Sequence, residues 1–426
     1  MRKFQMVIWG AIILLAGFQP LQMCPQNDWT HFRGSHLDGI SGVSSSPVKW
    51  NSDSNIVWKA SIHGRGWSSP VVYGDQVWMT TATEDGKEMY ALCVDYPTGD
   101  VIFDIKVFMP DTIFQKHDIN SYATPTPCIE KNFVYVHFGR YGTACLDTRD
   151  GSKVWQRMDL VCDHVQGPGS SPILYGNFLI LHLEGTDRQF ITAINKSTGE
   201  TVWETDRPDE IYNSLEPIGK KAYITPIVIR VKGRDMLISN GSAACIAYDP
   251  LTGKEIWRIV RGEDSTISMP FYEDGLVYFH TGFITSPDKD RFAELMAVDP
   301  DGTGDIADTN IKWRIQTPIL QLSTPVIKDG YIYLVDTKSI MMCLDAKTGE
   351  VRWKKRMIGR YNSSPVLADG KLYFSSTRGE TIVIREGPEL EILSENKLDG
   401  EIWTTPAVGN NSLLMRTSKF LYRIGG

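Results

Sequence analysis

The sequence predicts an all-β fold, an eight-bladed β-propeller of four-stranded antiparallel blades whose ring is closed by an N-terminal strand. Three observations predict it: a proline motif that recurs eight times, a turn-and-tryptophan motif inside the repeats, and one repeat divided between the two chain ends. A chain of 426 residues would otherwise suggest two or three domains. Repeat folds, however, grow as one unit, because each repeat is covered by its neighbours.

The proline motif marks the start of each repeat. Its prolines are 40 to 55 residues apart, which is the length of one four-stranded blade. An apolar strand follows each proline, and then come a tight turn and further alternating strands. The eight copies are Ser68-Ser69-Pro70, Ala123-Thr124-Pro125, Ser170-Ser171-Pro172, Ile224-Thr225-Pro226, Ser268-Met269-Pro270, Ser323-Thr324-Pro325, Ser363-Ser364-Pro365 and Thr404-Thr405-Pro406.

The second motif joins an Asp or Asn, a glycine turn and a tryptophan. The turn needs glycine where φ is positive, and the acidic or amide side chain can accept hydrogen bonds from the turn amides. We expect the tryptophan on an outer strand, where its ring covers the seam between blades. The clearest copies run from Asp147 to Trp155, from Asn195 to Trp203, from Asp249 to Trp257 and from Asp345 to Trp353.

Three repeats depart from this motif. The first ends in Phe103, and the fifth lengthens its turn over residues 301–304. The seventh, around residues 385–393, has lost both the turn and the tryptophan. The predicted number of blades is therefore eight, with seven as the alternative if the seventh repeat does not form a blade.

The eighth repeat is completed from the other end of the chain. Residues 404–424 provide three short strands, and the missing tryptophan strand occurs at residues 55–59, with Trp58. Pairing the two ends would remove both free sheet edges. The predicted domains are a signal peptide at 1–23, a lead-in segment at 24–54 and the propeller at 55–426.

These motifs carry a family resemblance. The repeated Asp-x-x-Thr-Gly-x-x-x-Trp signature resembles the PQQ-binding-like propeller repeat. The lead-in His31-Phe32-Arg33-Gly34 and the segment Gly64-Arg65-Gly66-Trp67 look like those of exported bacterial propellers of this family. The resemblance covers residues 29–426 and implies either an envelope scaffold, such as the B lipoprotein of the outer-membrane β-barrel assembly machine, or a quinoprotein dehydrogenase. In the lead-in, we expect Arg33 to tether the segment to the propeller.

The N-terminus predicts export. Arg2 and Lys3 precede an apolar run of 13 residues from Met6 to Phe18, which is short for a bilayer span and typical of a signal peptide. Cys24 resembles a lipidation site, although Met23 is larger than the small residue that such sites prefer. We expect the periplasm or the periplasmic face of the outer membrane, with contact to a membrane only through a lipid anchor at Cys24.

Composition excludes some functions. A net charge of −7 opposes general nucleic-acid binding, which needs a basic surface. The seven cysteines form no CxxC pair or haem motif. Cys93, Cys145 and Cys343 occupy equivalent strand positions in different repeats, so we expect apolar fillers rather than disulfides. No metal site is predicted.

The loops before the proline motifs should share one face around the central channel, and loops on a rigid scaffold commonly carry function. Their polar and aromatic residues are candidates for binding a ligand or partner; the alternative is that these loops are polar only because they are solvated. The binding candidates are His63, Arg65, Trp67, Asn120, Gln166, Glu216, Arg360, Asn362, Glu401 and Trp403, and the catalytic candidates are His117, Tyr122, His164 and Tyr361.

The preferred function is a binding or scaffold protein of the cell envelope, with a protein or a glycan as the ligand and no cofactor. Two enzymes are alternatives. A quinoprotein would use Trp67 or Trp403 against PQQ, and calcium ligands from Asn120, Asn213, Glu216, Asp264 and Glu401. A polysaccharide lyase or hydrolase would use the catalytic candidates, with Arg65 or Arg360 against a uronate carboxylate.

Overall fold

The computed structural model describes residues 28–261, 264–284, 293–318, 320 and 322–425. Eight four-stranded antiparallel sheets, two of them extended by a short fifth strand, follow one another around a ring, so the predicted eight-bladed propeller is confirmed. The predicted signal peptide and Cys24 lie outside the described residues. Within the described part of the chain, no helix is long and apolar enough to span a bilayer.

The strands of each blade are named A to D from the channel outward. In blades 1 to 8, strand A is Val71–Tyr73, Cys128–Glu130, Ile173–Tyr175, Ile227–Val231, Phe271–Glu273, Val326–Lys328, Val366–Ala368 and Ala407–Gly409. Strand B is Gln76–Ala82, Phe133–His137, Phe178–Glu184, Arg234–Asn240, Leu276–His280, Tyr331–Val335, Lys371–Ser375 and Ser412–Arg416. Strand C is Met89–Asp95, Thr143–Asp147, Gln189–Asn195, Ala244–Tyr248, Glu294–Val298, Ile340–Asp345, Glu380–Arg385 and Phe420–Ile424. Strand D is Val101–Phe108, Lys153–Arg157, Thr201–Asp206, Glu255–Val260, Ile311–Gln316, Val351–Arg356, Ile392–Lys397 and, for blade 8, Ile56–Ser61.

A few short elements lie outside this pattern. Ile40–Ser41 pairs in parallel with strand A of blade 7, and Gly304–Asp305 pairs in parallel with strand D of blade 4. The lengthened turn of blade 5 thus returns to cover its neighbour. The remaining elements are the pair Asp264–Ser265 and Phe283–Ile284, the helix Asp209–Tyr212, and the 3-10 turns Gly139–Tyr141 and Pro217–Gly219.

The ring closes as predicted. Ile56–Ser61 pairs antiparallel with Phe420–Ile424, so the N-terminal strand completes blade 8. Blade 7 is also complete, because Ile392–Lys397 pairs with strand C despite the lost turn and tryptophan. The seven-blade alternative is therefore wrong. The strands of blade 7 pair through backbone hydrogen bonds, which require neither the turn motif nor the tryptophan.

The tryptophans lie in the seams between blades, as predicted. Trp58 Nε1 donates to the Tyr96 carbonyl 2.8 Å away in the next blade, and Trp203 Nε1 donates to the Pro250 carbonyl at 3.1 Å. The ring also packs on the glycine of that turn, since a Cβ on Gly253 would lie 2.5 Å from the Trp203 ring. Gly253, with φ of 69°, thus serves both the turn and the seam.

The proline motif of blade 2 was predicted two residues too early. Strand A of this blade begins at Cys128, directly after Pro127, and the hydroxyl of Thr126 accepts the Ser69 N–H at 2.9 Å. In the other blades the residue before the motif's proline occupies this position. The motif is therefore Pro125-Thr126-Pro127, and its second proline is equivalent to Pro70.

The lead-in segment crosses one end of the channel. The Trp29 N–H donates to the Val72 carbonyl of blade 1, and the Thr30 carbonyl accepts from Ile129 of blade 2 at 2.9 Å. His31 Nε2 accepts the Leu174 N–H of blade 3 at 3.1 Å. The segment then reaches blade 7 through Ile40–Ser41. It therefore joins the inner strands of blades that are far apart in sequence.

Arg33 holds this crossing in place and is 0% exposed. Its guanidinium donates to the carbonyls of Thr324 at 2.9 Å, Pro325 at 2.7 Å and Pro365 at 3.3 Å, and to that of Asp38 at 2.8 Å. Burial lowers the pKa of Arg33 to about 10. The structure thus gives Arg33 the predicted tethering position.

Candidate functional site

The D-to-A loops surround a chamber of about 510 Å³ at the end of the channel opposite the lead-in. Phe32 reaches it from the lead-in segment. The lead-in crosses the far end, and the chamber lies among the loops that the sequence predicted to share one face. Its volume is within the range of about 300–1,000 Å³ that is usual for small-molecule sites.

Two rings of equivalent residues form the chamber wall. One ring holds the residue directly before each motif's proline, and the other holds the residue two positions earlier, since alternate residues of an extended segment point to the same side. The first ring lines the chamber with Ser69, Thr126, Ser171, Thr225, Thr324, Ser364 and Thr405. The second ring consists of Trp67, Thr124, Gly169, Tyr223, Ile267, Leu322, Asn362 and Trp403.

The structure divides the ten binding candidates into three sets. Five of them line the chamber: Trp67, Asn120, Gln166, Asn362 and Trp403. Arg65 and Glu401, with Trp67, line an adjoining pocket of about 250 Å³ at the seam between blades 8 and 1. His63, Glu216 and Arg360 line neither space; His63 instead lies 3.1 Å from Asp104 on an outer strand.

The chamber mouth carries a stacked tryptophan pair. Trp67 and Trp403 occupy equivalent positions in adjacent loops, with ring centroids 5.1 Å apart and an interplanar angle of 14°. Trp67 Nε1 donates to the Ile119 carbonyl at 3.1 Å, and Trp403 Nε1 donates to Glu401 at 2.9 Å. The Arg65 guanidinium lies 5.0 Å from the Trp67 ring centre. The pair is thus fixed in orientation, and both rings remain partly exposed.

The chamber also holds polar groups without protein partners. Both amide atoms of Asn362 are buried and have no hydrogen bond to the described residues, whereas the buried hydroxyl of Tyr223 lies against the backbone of Gln166. Lys221 is 2% exposed and donates to the Ile218 carbonyl at 3.0 Å and the Ser265 hydroxyl at 3.3 Å. Burial lowers the pKa of Lys221. The sequence analysis missed this lysine, whose only signal was its position four residues before the ring hydroxyl of Thr225.

The four catalytic candidates do not share the chamber, since only His117 lines it. His164 is 5% exposed, lies 3.3 Å from the Cys162 sulfur, and has its pKa lowered to about 4 by burial. The Tyr122 hydroxyl donates to the Phe114 carbonyl at 3.1 Å, and the Tyr361 hydroxyl donates to the Ile358 carbonyl at 3.4 Å. These three side chains are engaged within the loops.

The predicted calcium ligands are also dispersed. Asp264 is buried and pairs with Arg261 at 2.8 Å, and Glu401 accepts from Trp403. Asn213 and Glu216 are exposed on the loop before blade 4. The described residues contain no cluster of three or more His, Cys, Asp or Glu that could hold a metal ion. The arrangement does not fit a calcium-held quinone, although Trp67 and Trp403 could stack on a flat ligand.

Comparison with known proteins places the fold in context. Residues 187–387 match the sequence model of the family described as outer membrane protein assembly factor BamB. BamB of Yersinia pestis is 22% identical in an alignment of 267 positions that covers 53% of this chain. The match spans 66% of that protein's length, just under two thirds.

Two solved structures share the architecture. BamB from Moraxella catarrhalis superposes with a TM-score of 0.57 at 13% identity, covering 85% of this chain and 98% of that one. Quinohemoprotein alcohol dehydrogenase from Comamonas testosteroni gives a TM-score of 0.66 at 11% identity, covering 94% of this chain and 81% of the enzyme. At such identities the likeness concerns the fold alone. The resemblance to PQQ-like propeller repeat proteins that the sequence predicted is confirmed.

Proposed function

We propose that this protein is an exported scaffold of the cell envelope that binds a protein partner through the loop face around the chamber. The observation that carries the proposal is where the exposed apolar side chains lie. Seven large ones stand on the D-to-A loops: Met109, Phe114, Met158, Val161, Val165, Ile218 and Ile358. Eight further exposed large apolar side chains lie elsewhere among the described residues, seven on the outer D strands and Leu251 in a turn, but the loop set contains the two most exposed, Ile358 and Met109. Exposed apolar groups that share one face mark interaction surfaces more often than single ones do.

The same face has other features of a protein-binding surface. The stacked Trp67–Trp403 pair and Arg65 are residue types that dominate binding energy at protein interfaces. The loops at 109–127, 158–172 and 207–226, which join blades 1 to 4, are the longest of the D-to-A loops. A rigid closed ring holds these loops, so little conformational entropy would be lost on binding.

The relatives support a protein as the partner. The matched family and the Yersinia pestis protein are described as outer membrane protein assembly factors, and we extend that role to this chain as part of the proposal. Export, predicted from residues 1–23, would place the protein in the same compartment. A quinoprotein role has less support, because the predicted calcium ligands are dispersed.

A site-specific cross-linking experiment tests the proposal. A photo-reactive residue at Met158, which is 54% exposed, should cross-link to a defined envelope protein in intact cells. The matched control is Val351, which is 51% exposed on strand D of blade 6, and it should give no such product. Met109→Ser and Met158→Ser together should weaken the purified complex at least tenfold. Equal cross-linking from both positions would reject the loop face as the binding surface.

A further inference from the structure

Seven hydroxyl groups form a hydrogen-bonded ring around the chamber. Each accepts the backbone N–H of the equivalent residue in the preceding blade, at 2.9 to 3.1 Å. The donors in chain order are Ser69, Thr126, Ser171, Met269, Thr324, Ser364 and Thr405. Met269 is the eighth member and has no hydroxyl, so the chain of bonds is interrupted once, between blades 4 and 5.

This arrangement turns the ring into a set of donors. A hydroxyl has one proton to donate and two lone pairs, and each of the seven already uses a lone pair on an amide. None of the seven donates its own proton to another described residue. All seven line the chamber and are at most 4% exposed. Their protons are therefore available to acceptor atoms inside it.

The charged residues of the chamber also favour a ligand with acceptor oxygens and a negative charge. Lys221 is the one Lys or Arg among the described lining residues, and no Asp or Glu is among them. Its ammonium forms no ion pair with any described carboxylate and has a third proton beyond the two donated to Ile218 and Ser265. A buried cation is costly unless an anion or several acceptors compensate it. An incoming anion would supply that compensation.

Asn362 provides independent evidence for a ligand at this wall. It is more than nine-tenths buried and lines the chamber, yet neither of its amide atoms has a hydrogen bond to a described residue. Buried polar groups are usually hydrogen-bonded. Tyr223 is the equivalent residue of blade 4 and also lines the chamber, so its hydroxyl, which lies against the backbone of Gln166, is a second contact for the same molecule.

We propose that the chamber is a binding site for a small anionic molecule that carries several acceptor oxygens, such as a carboxylate or a sulfate. Lys221 supplies the charge, the hydroxyl ring supplies donors, and Asn362 and Tyr223 complete the contacts. The site goes beyond partner binding by the loop face, because it uses the buried side chains of the D-to-A loops that line the chamber rather than the exposed apolar side chains of those loops. The described lining residues include no carboxylate that could bind a cationic ligand.

Calorimetric titration of the full chain tests the site with defined probes at constant ionic strength. We expect one site for D-glucuronate and for sulfate, with mutual competition, and at least tenfold weaker binding of D-glucose, the neutral analogue of glucuronate. Tighter binding of glucuronate than of sulfate would identify a sugar acid rather than a free oxyanion as the ligand source. Lys221→Met should weaken binding of both anions at least tenfold. Lys220→Met, one residue away and absent from the chamber lining, is the matched control and should bind as the wild type.

Three results would overturn the proposal: no binding of either anion, equal binding of glucose and glucuronate, or wild-type affinity in Lys221→Met. Asn362→Leu leaves the charge of the chamber unchanged and should weaken glucuronate binding. This second variant keeps the proposal testable if Lys221→Met folds poorly. The loop-face proposal fails or holds separately, because cross-linking from Met158 does not depend on the chamber.

Discussion

The two ends of the channel each contain a buried cation, but the surroundings differ. At the covered end, Arg33 donates to four carbonyl oxygens contributed by the lead-in and by blades 6 and 7. At the open end, Lys221 has two protein acceptors and faces a chamber. This difference shows that burial of a charged side chain does not by itself indicate a ligand-binding site. The number of protein acceptors separates a structural cation from one that can bind a ligand.

The largest expected effect is at the covered end. Arg33→Ala would leave four carbonyls without their charged donor, and hydrogen bonds to charged groups contribute about 1.5–3 kcal/mol each without adding fully. We expect the free energy of unfolding in urea to fall by about 4 kcal/mol. Arg352→Ala, which removes an exposed pair with Asp345, should change it by less than about 1 kcal/mol. Similar losses in the two variants would show that Arg33 is not the anchor.

The covered end should also be sensitive to acid. Burial lowers the pKa of His31 to about 4, and its Nε2 accepts an amide proton in the neutral form. The unfolded histidine has a pKa of about 6.5 and takes up its proton first. Stability from this group is therefore complete above about pH 6.5 and is lost as the pH falls towards 4.

Unfolding of His31→Gln at a series of pH values measures this contribution. Glutamine can keep the acceptor but does not titrate, so the variant should lose less stability than the wild type between pH 7 and 5, by about 1–2 kcal/mol. Thr324→Val, which removes no titratable group, should keep the pH dependence of the wild type. An unchanged slope in His31→Gln would mean that other groups cause the acid sensitivity.

The sequence could predict the features that depend on the residue pattern of each repeat, namely the strands, the number of blades and the closure of the ring. Alternating strands and the Trp58 strand sufficed for eight blades and for ring closure, because neighbouring strands are mostly neighbours in sequence. The acceptors of Arg33, at Thr324 and Pro365, are about 300 residues away, and no local pattern specifies such contacts. Blade 2 was misaligned because Pro125 and Pro127 both fit the motif.

From the sequence, the candidate site was predicted only as the face of the propeller that carries the loops before the proline motifs, and not as a set of residues in contact. Trp67, Asn362 and Trp403 were found because large or amide side chains in loops stand out. Six of the eight quoted motifs contain a ring hydroxyl, but there it served only to mark the start of a repeat. Its role depends on bonds between blades, which require coordinates. His164 and Tyr361 look equally suitable in sequence, and only their burial distinguishes them from His117.

Thr324 connects the two ends of the channel, because its carbonyl accepts from Arg33 and its hydroxyl belongs to the ring around the chamber. A substitution at this residue should have a smaller effect on stability than the loss of Arg33. Thr324→Val keeps the side-chain shape but leaves the buried Met269 N–H without its acceptor. We expect a loss of about 1–3 kcal/mol in the free energy of unfolding, the usual cost of an unsatisfied buried donor. Thr324→Ser keeps the hydroxyl and should recover most of that loss. If valine and serine cost the same, packing rather than the hydrogen bond matters at this position.

The smallest expected change is an increase in stability, and it concerns the buried cation at the open end of the channel. Lys221→Met exchanges a buried cation that lacks a described anionic partner for an apolar side chain of similar length. We expect the free energy of unfolding in anion-poor buffer to rise by about 1 kcal/mol, since replacing buried ionic groups with apolar ones is often neutral or stabilising. Glucuronate should then stabilise the wild type, because a ligand that binds only the folded state shifts the unfolding equilibrium. The same additions should leave Lys221→Met unchanged. A variant less stable than the wild type without anion would show that the two protein acceptors already satisfy Lys221, as four carbonyls satisfy Arg33.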